Sequence, residues 1–318
     1  MLINKIKNDV LNIFDLEPDW LNSSLKNPLK LIIKNSKSHE LLLTLRSLFG
    51  VVDGNPLIKR INKFHYSQEK IQKTLEKIVK VDKVLNSSKS YNSEIVLDVI
   101  SLLSQIEFLK VYPNRFSDTF IKSIIKNNLF AAIRTRSYKA KLIFLLTKMG
   151  FANIHIDKQL KALEGRQNID GGWGELRGES SNVFTSLLVF QCLRENRLWR
   201  NKKMSQRVEA YLIKNHLSKK ETKAEQEMWN RIHCGYKVNN MFEGGSLMLL
   251  ESMLISSSDN NKEKIKSLIK WFKSLQLDNG YFPYHAGLAK QENTISTIRI
   301  LACIKKYYLQ NFYLIFCK

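Results

Sequence analysis

Apolar residues recur every three to four positions along nearly the whole chain and strand-like alternation is scarce, so the pattern predicts an all-α protein. A short amphipathic helix is predicted over 2–16, closed by the Glu17-Pro18 step because a residue before proline resists the helical region. Further helices are predicted over 41–49, 58–61 and 71–85, with the stretch from Gly50 to Pro56 as a punctuated turn. Segments 93–109 and 140–149 are apolar almost throughout, as expected of helices packed on two sides. Segment 116–130, after a turn at Pro113-Asn114, instead gathers Phe120, Ile124 and Ile125 on one face.

After Gly150 this alternation becomes a repeat. One-faced helices are predicted over 156–166, 204–215 and 265–275, each followed by an apolar one over 181–193, 242–254 and 293–304. Leu163, Leu212 and Phe272 precede the turn positions Gln167, His216 and Gln276, a period of roughly 50 residues that suits a helical hairpin. Two of the turns share a motif, Gln-x3-Gly-x-aromatic: Gln167, Gly171 and Trp173, then Gln276, Gly280 and Phe282. Glycine tolerates positive φ, and Gly171 with Gly172 is expected to supply it. The glutamine amide can bridge orphan helix-end groups, and the aromatic ring anchors the loop in the core. Asp170 and Asp278 lie inside the turns and are expected to make local backbone hydrogen bonds. The middle repeat replaces the motif with a longer loop over 218–241, the kind of insertion that gathers on a functional face.

Gln-x3-Gly-x-Trp ahead of a helix that opens in Ser or Thr resembles the repeat of the terpenoid cyclase and protein prenyltransferase β-subunit superfamily. The resemblance is specific over 150–304 and weaker before that. It implies an α/α toroid, a closed ring of helical hairpins with inner and outer layers, in one domain over 1–318. Repeats are less regular in 1–150, and an apolar segment fills 305–318. It also implies an isoprenoid or other apolar small molecule in a central cavity, handled by a cyclase- or prenyltransferase-like enzyme. A non-catalytic toroid acting as a protein- or lipid-binding scaffold is the alternative.

In that superfamily the residues that matter stand at the starts of inner helices. Asn182, Thr185 and Asn293 occupy such starts here, and Trp229, His233, Tyr236, Tyr284 and His285 flank them, which makes all eight candidates for substrate contact. Aromatic faces among them can stabilise a carbocation or simply pack, and His285 can face the cavity or cap local backbone. Glu243 is the one acidic residue at an inner-helix start and so the candidate catalytic group, with Gly244-Gly245 behind it permitting close approach of a ligand. A cyclase acid needs clustered carboxyls, Asp-x-Asp-Asp, to be acidic enough. The matching positions read Ser181-Asn182-Val183-Phe184 before Thr185 and Phe242-Glu243-Gly244-Gly245 before Ser246. The prenyltransferase zinc set, Asp-x-Cys with a later His, is met only by Glu243-Gly244-Gly245 and Asn293, so no zinc site is expected. A relocated set of His233, Cys234 and His285 has poor chelating spacing, and Mg²⁺ would enter only with a diphosphate substrate.

Charge widens the list of partners. The 318 residues hold 51 Lys+Arg against 29 Asp+Glu, a formal net charge of +22 that suits nucleic acid, an anionic membrane or a polyanionic substrate. The lysines are dispersed, which favours solvated helix faces and disfavours nucleic acid. Cysteines 192, 234, 303 and 317 show no CxxC pair, against a disulfide framework. The N-terminal segment alternates charged with apolar residues and builds no leader, so cytoplasmic residence is expected. The apolar run 307–316 is too short to span a bilayer; beside Lys305 and Lys306 it is a candidate for peripheral membrane contact, or it completes the outer layer.

Overall fold

The computed structural model describes residues 2–21, 25–88, 90–110, 115–151, 154–216, 218, 222–232, 244–255, 261–287 and 291–316. The chain is all-α: among the described residues, fifteen α-helices and one 3-10 turn are joined by only two isolated β-bridges. It divides into two compact units, one of Met1–Gln72 with Lys262–Lys318 and one of Lys73–Asn261. The first unit opens with α1 (Leu2–Ile13), α2 (Leu29–Asn35), α3 (Ser38–Ser47) and α4 (Pro56–Tyr66). From there α5 (Glu69–Ser87) leads into the second unit, which holds α6 (Ser93–Phe108), α7 (Arg115–Lys126), α8 (Arg136–Lys148) and α9 (Ile154–Glu164). It continues with α10 (Val183–Glu195), α11 (Lys203–Asn215), α12 (Lys223–Asn230) and α13 (Gly245–Ile255). The chain returns to the first unit with α14 (Lys262–Ser274) and α15 (Thr294–Phe316).

Local chemistry sets these boundaries. Asn55, Asn92 and Asn182 each turn a side-chain oxygen onto an amide of the following first turn, and Pro56 occupies a position where a missing N–H costs nothing. Thr222 and Glu225 form a reciprocal capping box that starts α12 inside the stretch expected to be a loop. The short helix α2 also went unpredicted, although Leu29, Ile32 and Ile33 are spaced on one buried face. The C-terminal run is no separate element: with no Gly or Pro after Thr294 to stop it, α15 simply continues through residues 305–316. Lys305 meanwhile donates from Nζ to the Leu48 carbonyl just past α3 (2.7 Å), which ties α15 to α3.

In the second unit the two classes of helix separate by burial. In α10 every residue from Thr185 to Arg194 is buried, and α13 is buried at all of Gly245–Leu250, whereas α9 buries only Ile156, Leu160 and Leu163. Helix α10 packs against α8, α13 and α11, and α6 lies against α8, so the apolar helices form a row and the amphipathic ones lie outside it. Arg194 and Glu209 pair at 2.5 Å between α10 and α11, both side chains almost wholly enclosed, and Arg194 also covers the Phe190 ring. In the first unit α15 packs on α3 and α14, and Ile6, Val10, Ile33, Leu41, Leu45, Ile58 and Ile61 form a common core.

The repeated turn works through a clasp. Trp173 N donates to Ser186 Oγ (2.9 Å) on the first turn of α10, and Phe282 N donates to Thr297 Oγ1 (2.8 Å) on the first turn of α15. Both loops close with the same bridge: Asn182 N donates to Trp173 O and Asn293 N to Phe282 O, each at 3.0 Å. Gln167 Nε2 joins its own turn at Gly171 O (2.8 Å) to Met204 O at the start of α11 (3.0 Å). Gln276 does the same between Gly280 O (2.9 Å) and Lys26 O (2.7 Å), and its Oε1 accepts from Lys26 N (2.9 Å). Gly171 has the expected positive φ of 91°, and a Cβ there would lie 2.6 Å from Arg207 O. Gly172 is needed for a different reason than expected: its φ is ordinary, but a Cβ would strike Ser181 at 2.7 Å. Asp170 accepts from Gly172 N and Ser181 Oγ, whereas Asp278 pairs with Lys26.

The middle repeat keeps the clasp without the motif. Ser246 Oγ on the first turn of α13 donates to Trp229 O (2.8 Å) and accepts from His216 Nε2 (2.9 Å), which fixes the Nε2–H tautomer of His216. Trp229 is fully buried against the His216 ring at 4.7 Å, so it holds the place of Trp173 and Phe282 although it arrives from the end of α12. Its indole differs in one respect. Trp173 Nε1 donates to Leu163 O (3.0 Å), whereas Trp229 Nε1 has no hydrogen-bond partner among the described residues.

At the far ends of α6 and α8, Glu107 accepts from Lys110 and lies 3.2 Å from Lys148 Nζ. Burial pushes its carboxyl up, but the two ammonium groups outweigh burial and hold it well below the usual carboxylate range.

Two outcomes follow from these contacts. Trp173→Phe loses a buried hydrogen bond to the Leu163 carbonyl, which keeps only the Arg166 amide, so urea denaturation should find it about 1 kcal/mol less stable than Trp229→Phe; equal losses would contradict the assignment. Glu107 ionises more readily folded than unfolded, so its contribution is complete above its unfolded pKa and is lost as pH falls. Wild type should exceed Glu107→Gln by about 1.5 kcal/mol at pH 7, with the gap shrinking below about pH 4. A gap independent of pH would contradict it.

Candidate functional site

Three of the residues singled out around the inner-helix starts, Asn182, Asn293 and Trp229, make contacts that hold the helices themselves. Asn182 Oδ1 accepts from Thr185 N (2.8 Å) and Asn293 Oδ1 from Ser296 N (2.8 Å), the N-cap arrangement in both cases. Trp229 belongs to the clasp described above. His285 is buried and accepts at Nδ1 from Gly287 N (2.9 Å), and Tyr284 is half-buried with its ring 6.3 Å from that of His285. His233, Cys234, Tyr236 and Glu243 lie outside the described residues. Gly244 and Gly245 serve close approach, but to the chain's own backbone: added Cβ atoms would stand 2.0 Å from Ile232 O and 2.8 Å from Met228 O. Among the described residues no three His, Cys, Asp or Glu side chains gather as a metal site, and no helix is long and apolar enough to cross a membrane.

The structure gathers a different group, at the N-terminal ends of α6, α8 and α10. Glu175, in the loop after Trp173, accepts from Ser137 Oγ on α8 and from Thr185 Oγ1 on α10, so one carboxylate joins the first turns of two neighbouring helices. Its main-chain oxygen takes the Arg136 amide (3.1 Å), and the Arg136 guanidinium, buried, donates to Gly174 O (2.8 Å). Thr185 was expected to meet a substrate in a central cavity, and in the structure its hydroxyl donates to Glu175; Glu175, Ser137 and Arg136 were not singled out. The only sequence signal for Glu175 was an acidic residue two places beyond the motif tryptophan.

On the other side of the α8 first turn lies a cleft of about 480 Å³. Val96, Ala131, Ala132 and Ile133 give it apolar walls, Tyr91 and Tyr138 face it with rings, and Arg134 and Thr135 stand at the start of α8. The two helix ends that meet here differ. Asn92 caps α6 by accepting from Ile95 N (3.0 Å), and Tyr91 is held by its hydroxyl on Leu85 O (2.8 Å). Thr135, at the N-cap of α8, makes no side-chain cap, and its buried hydroxyl oxygen has no partner among the described residues.

This end of α8 is also electropositive. Lys139 has its pKa lowered first by burial and then by the nearby Arg166 charge, and Arg136 is lowered by the same two causes, with Glu179 and Glu175 opposing. Arg136, Lys139 and Arg166 stand beside a helix N-terminus that has no side-chain cap, with Glu175 and Glu179 offsetting part of their charge, and such a terminus can accept a further anion. The arrangement can therefore hold an amphiphile, with a negatively charged head at the α8 terminus and an apolar body along the alanines, Ile133 and the tyrosine rings.

Glu175→Ala should unpair Ser137 and Thr185 and cost about 2 kcal/mol by urea denaturation, with Ser137→Ala less harmful when combined with it than alone. Additive losses would mean that the carboxylate does not couple the two helices.

No family model and no curated protein matches this chain.

Proposed function

We propose that this protein is an isoprenoid-handling α/α toroid that takes a prenyl-diphosphate-like amphiphile in the cleft at the starts of α6 and α8. The observation that carries the reading is the cleft itself, an apolar, tyrosine-faced space that ends at a helix N-terminus without a side-chain cap, with arginine beside it. Diphosphates favour such termini because backbone amides and the helix dipole meet the charge together. The toroid reading is supported by the clasp, a first-turn hydroxyl on the main chain of a buried aromatic, which accepts from the amide at Trp173 and Phe282 and donates to the carbonyl at Trp229. Turnover enters the proposal as a prenyl transfer or cyclisation of the bound chain, with Mg²⁺ accompanying a diphosphate head. A specific observation favours the second reading, a scaffold that binds without turning over: the faces of α10 and α13 are occupied by packing, which leaves those inner helices no surface for a reacting chain.

Farnesyl diphosphate, farnesol and inorganic pyrophosphate separate these readings. Titration calorimetry should find farnesyl diphosphate the tightest of the three, with Tyr138→Ala and Arg134→Ala each weakening it about tenfold, a loss of about 1.4 kcal/mol. Product formed with Mg²⁺ assigns an enzyme, and binding without product assigns the scaffold. No binding of any of the three would overturn the proposal.

A further inference from the structure

Between α10 and α11 runs Arg197-Leu198-Trp199-Arg200-Asn201-Lys202-Lys203, which carries four basic residues and no acidic one. It is a hydrogen-bonded corner. Asn196, itself buried, accepts from Leu198 N at its side chain (3.0 Å), and from Trp199 N and Arg200 N at its carbonyl. Trp199 is driven inward, only 3 % exposed, with Nε1 donating to Asp157 Oδ1 (3.2 Å) on the first turn of α9 and Lys202 Nζ 3.5 Å above its ring. The turn that buries Trp199 pushes Leu198 out, to 69 % exposure. One helical turn before Asp157 on α9, Ile154 is 67 % exposed. The bond from Trp199 to Asp157 joins this corner to the start of α9, so two exposed aliphatic side chains, Leu198 and Ile154, project from adjoining elements that also carry the exposed Arg197, Lys158, Lys202 and Lys203.

We propose that this corner is a docking surface for an anionic phospholipid bilayer. Two aliphatic tips amid cations are what an interfacial anchor needs: the tips enter the acyl boundary while the basic residues remain among the headgroups. Each Lys or Arg near such a surface strengthens binding about fivefold. Nucleic acid fits the same charge but not the same surface. A single-stranded polyanion is held by open aromatic faces, and the one aromatic ring here is buried under Lys202 with its N–H engaged. The surface belongs to the second unit alone, and it does not depend on the cleft.

Cosedimentation of the full chain with sucrose-loaded vesicles tests this. Phosphatidylcholine vesicles containing phosphatidylserine should carry the protein down, and phosphatidylcholine alone should bind it at least tenfold more weakly. Ile154→Ser with Leu198→Ser should lower binding to the anionic vesicles about tenfold, and Arg197→Gln with Lys203→Gln about 25-fold, two basic residues at about fivefold each. Ile169→Ser, at a wholly exposed isoleucine in the Gln167 turn, should leave binding unchanged. Unaltered helical circular dichroism identifies each variant as folded. The proposal is overturned if anionic vesicles do not bind, if the serine pair binds as wild type does, or if Ile169→Ser matches the serine pair. It is also overturned if duplex DNA competes away the vesicles and binds the serine pair undiminished.

Discussion

The need to satisfy buried main-chain groups where one helix ends and the next begins governs this molecule. An aromatic residue placed at that junction is too large to sit near the surface, so its amide and carbonyl go into the core with it and require partners there. A hydroxyl on the first turn of the following helix answers that need three times, from Ser186, Ser246 and Thr297. Short side chains are required because the loop lies directly on the helix, and the glycines beside the clasp remove the Cβ atoms that would hold the two apart. Once the hydroxyl is fixed, the rings of Trp173, Trp229 and Phe282 can be buried completely.

The clasp also determines where chemistry is found. It fixes the loop after Trp173, and so delivers Glu175 to the first turns of α8 and α10, where its carboxylate meets Ser137 and Thr185. With α8 held by Glu175 and α6 closed by Asn92, the space between their starts is a formed cleft in which the buried Thr135 hydroxyl has no partner among the described residues. The anion-favouring end of α8 is thus a by-product of how the helices are joined, with Arg134 and Lys139 raising the potential there.

How much of this was legible in the chain depended on whether the signal was local. Period and turn chemistry located the apolar helices, the buried Leu163, Leu212 and Phe272, and the two Gln turns, because each of these is written within a few residues. Asn182 and Asn293 were legible as helix-start residues, and their side chains are spent on caps. The third clasp was not visible, since Trp229 reaches the position of Trp173 through an inserted helix and no fixed spacing links it to Ser246. Glu175 was missed for the same reason: its partners stand 38 and 10 residues away, on two helices whose proximity only packing creates. The basic corner at Arg197–Lys203 was present in the composition, but its aliphatic tips acquire meaning only once Trp199 is seen to point inward.

Hydrogen–deuterium exchange with and without farnesyl diphosphate tests the account most directly, because it reports where a ligand sits without depending on turnover. The account predicts slowed exchange at residues 91–96 and 131–139, the starts of α6 and α8, with α10 and α13 unchanged because their faces are already packed. Protection centred on α13 or α15 with none at the start of α8 would contradict it.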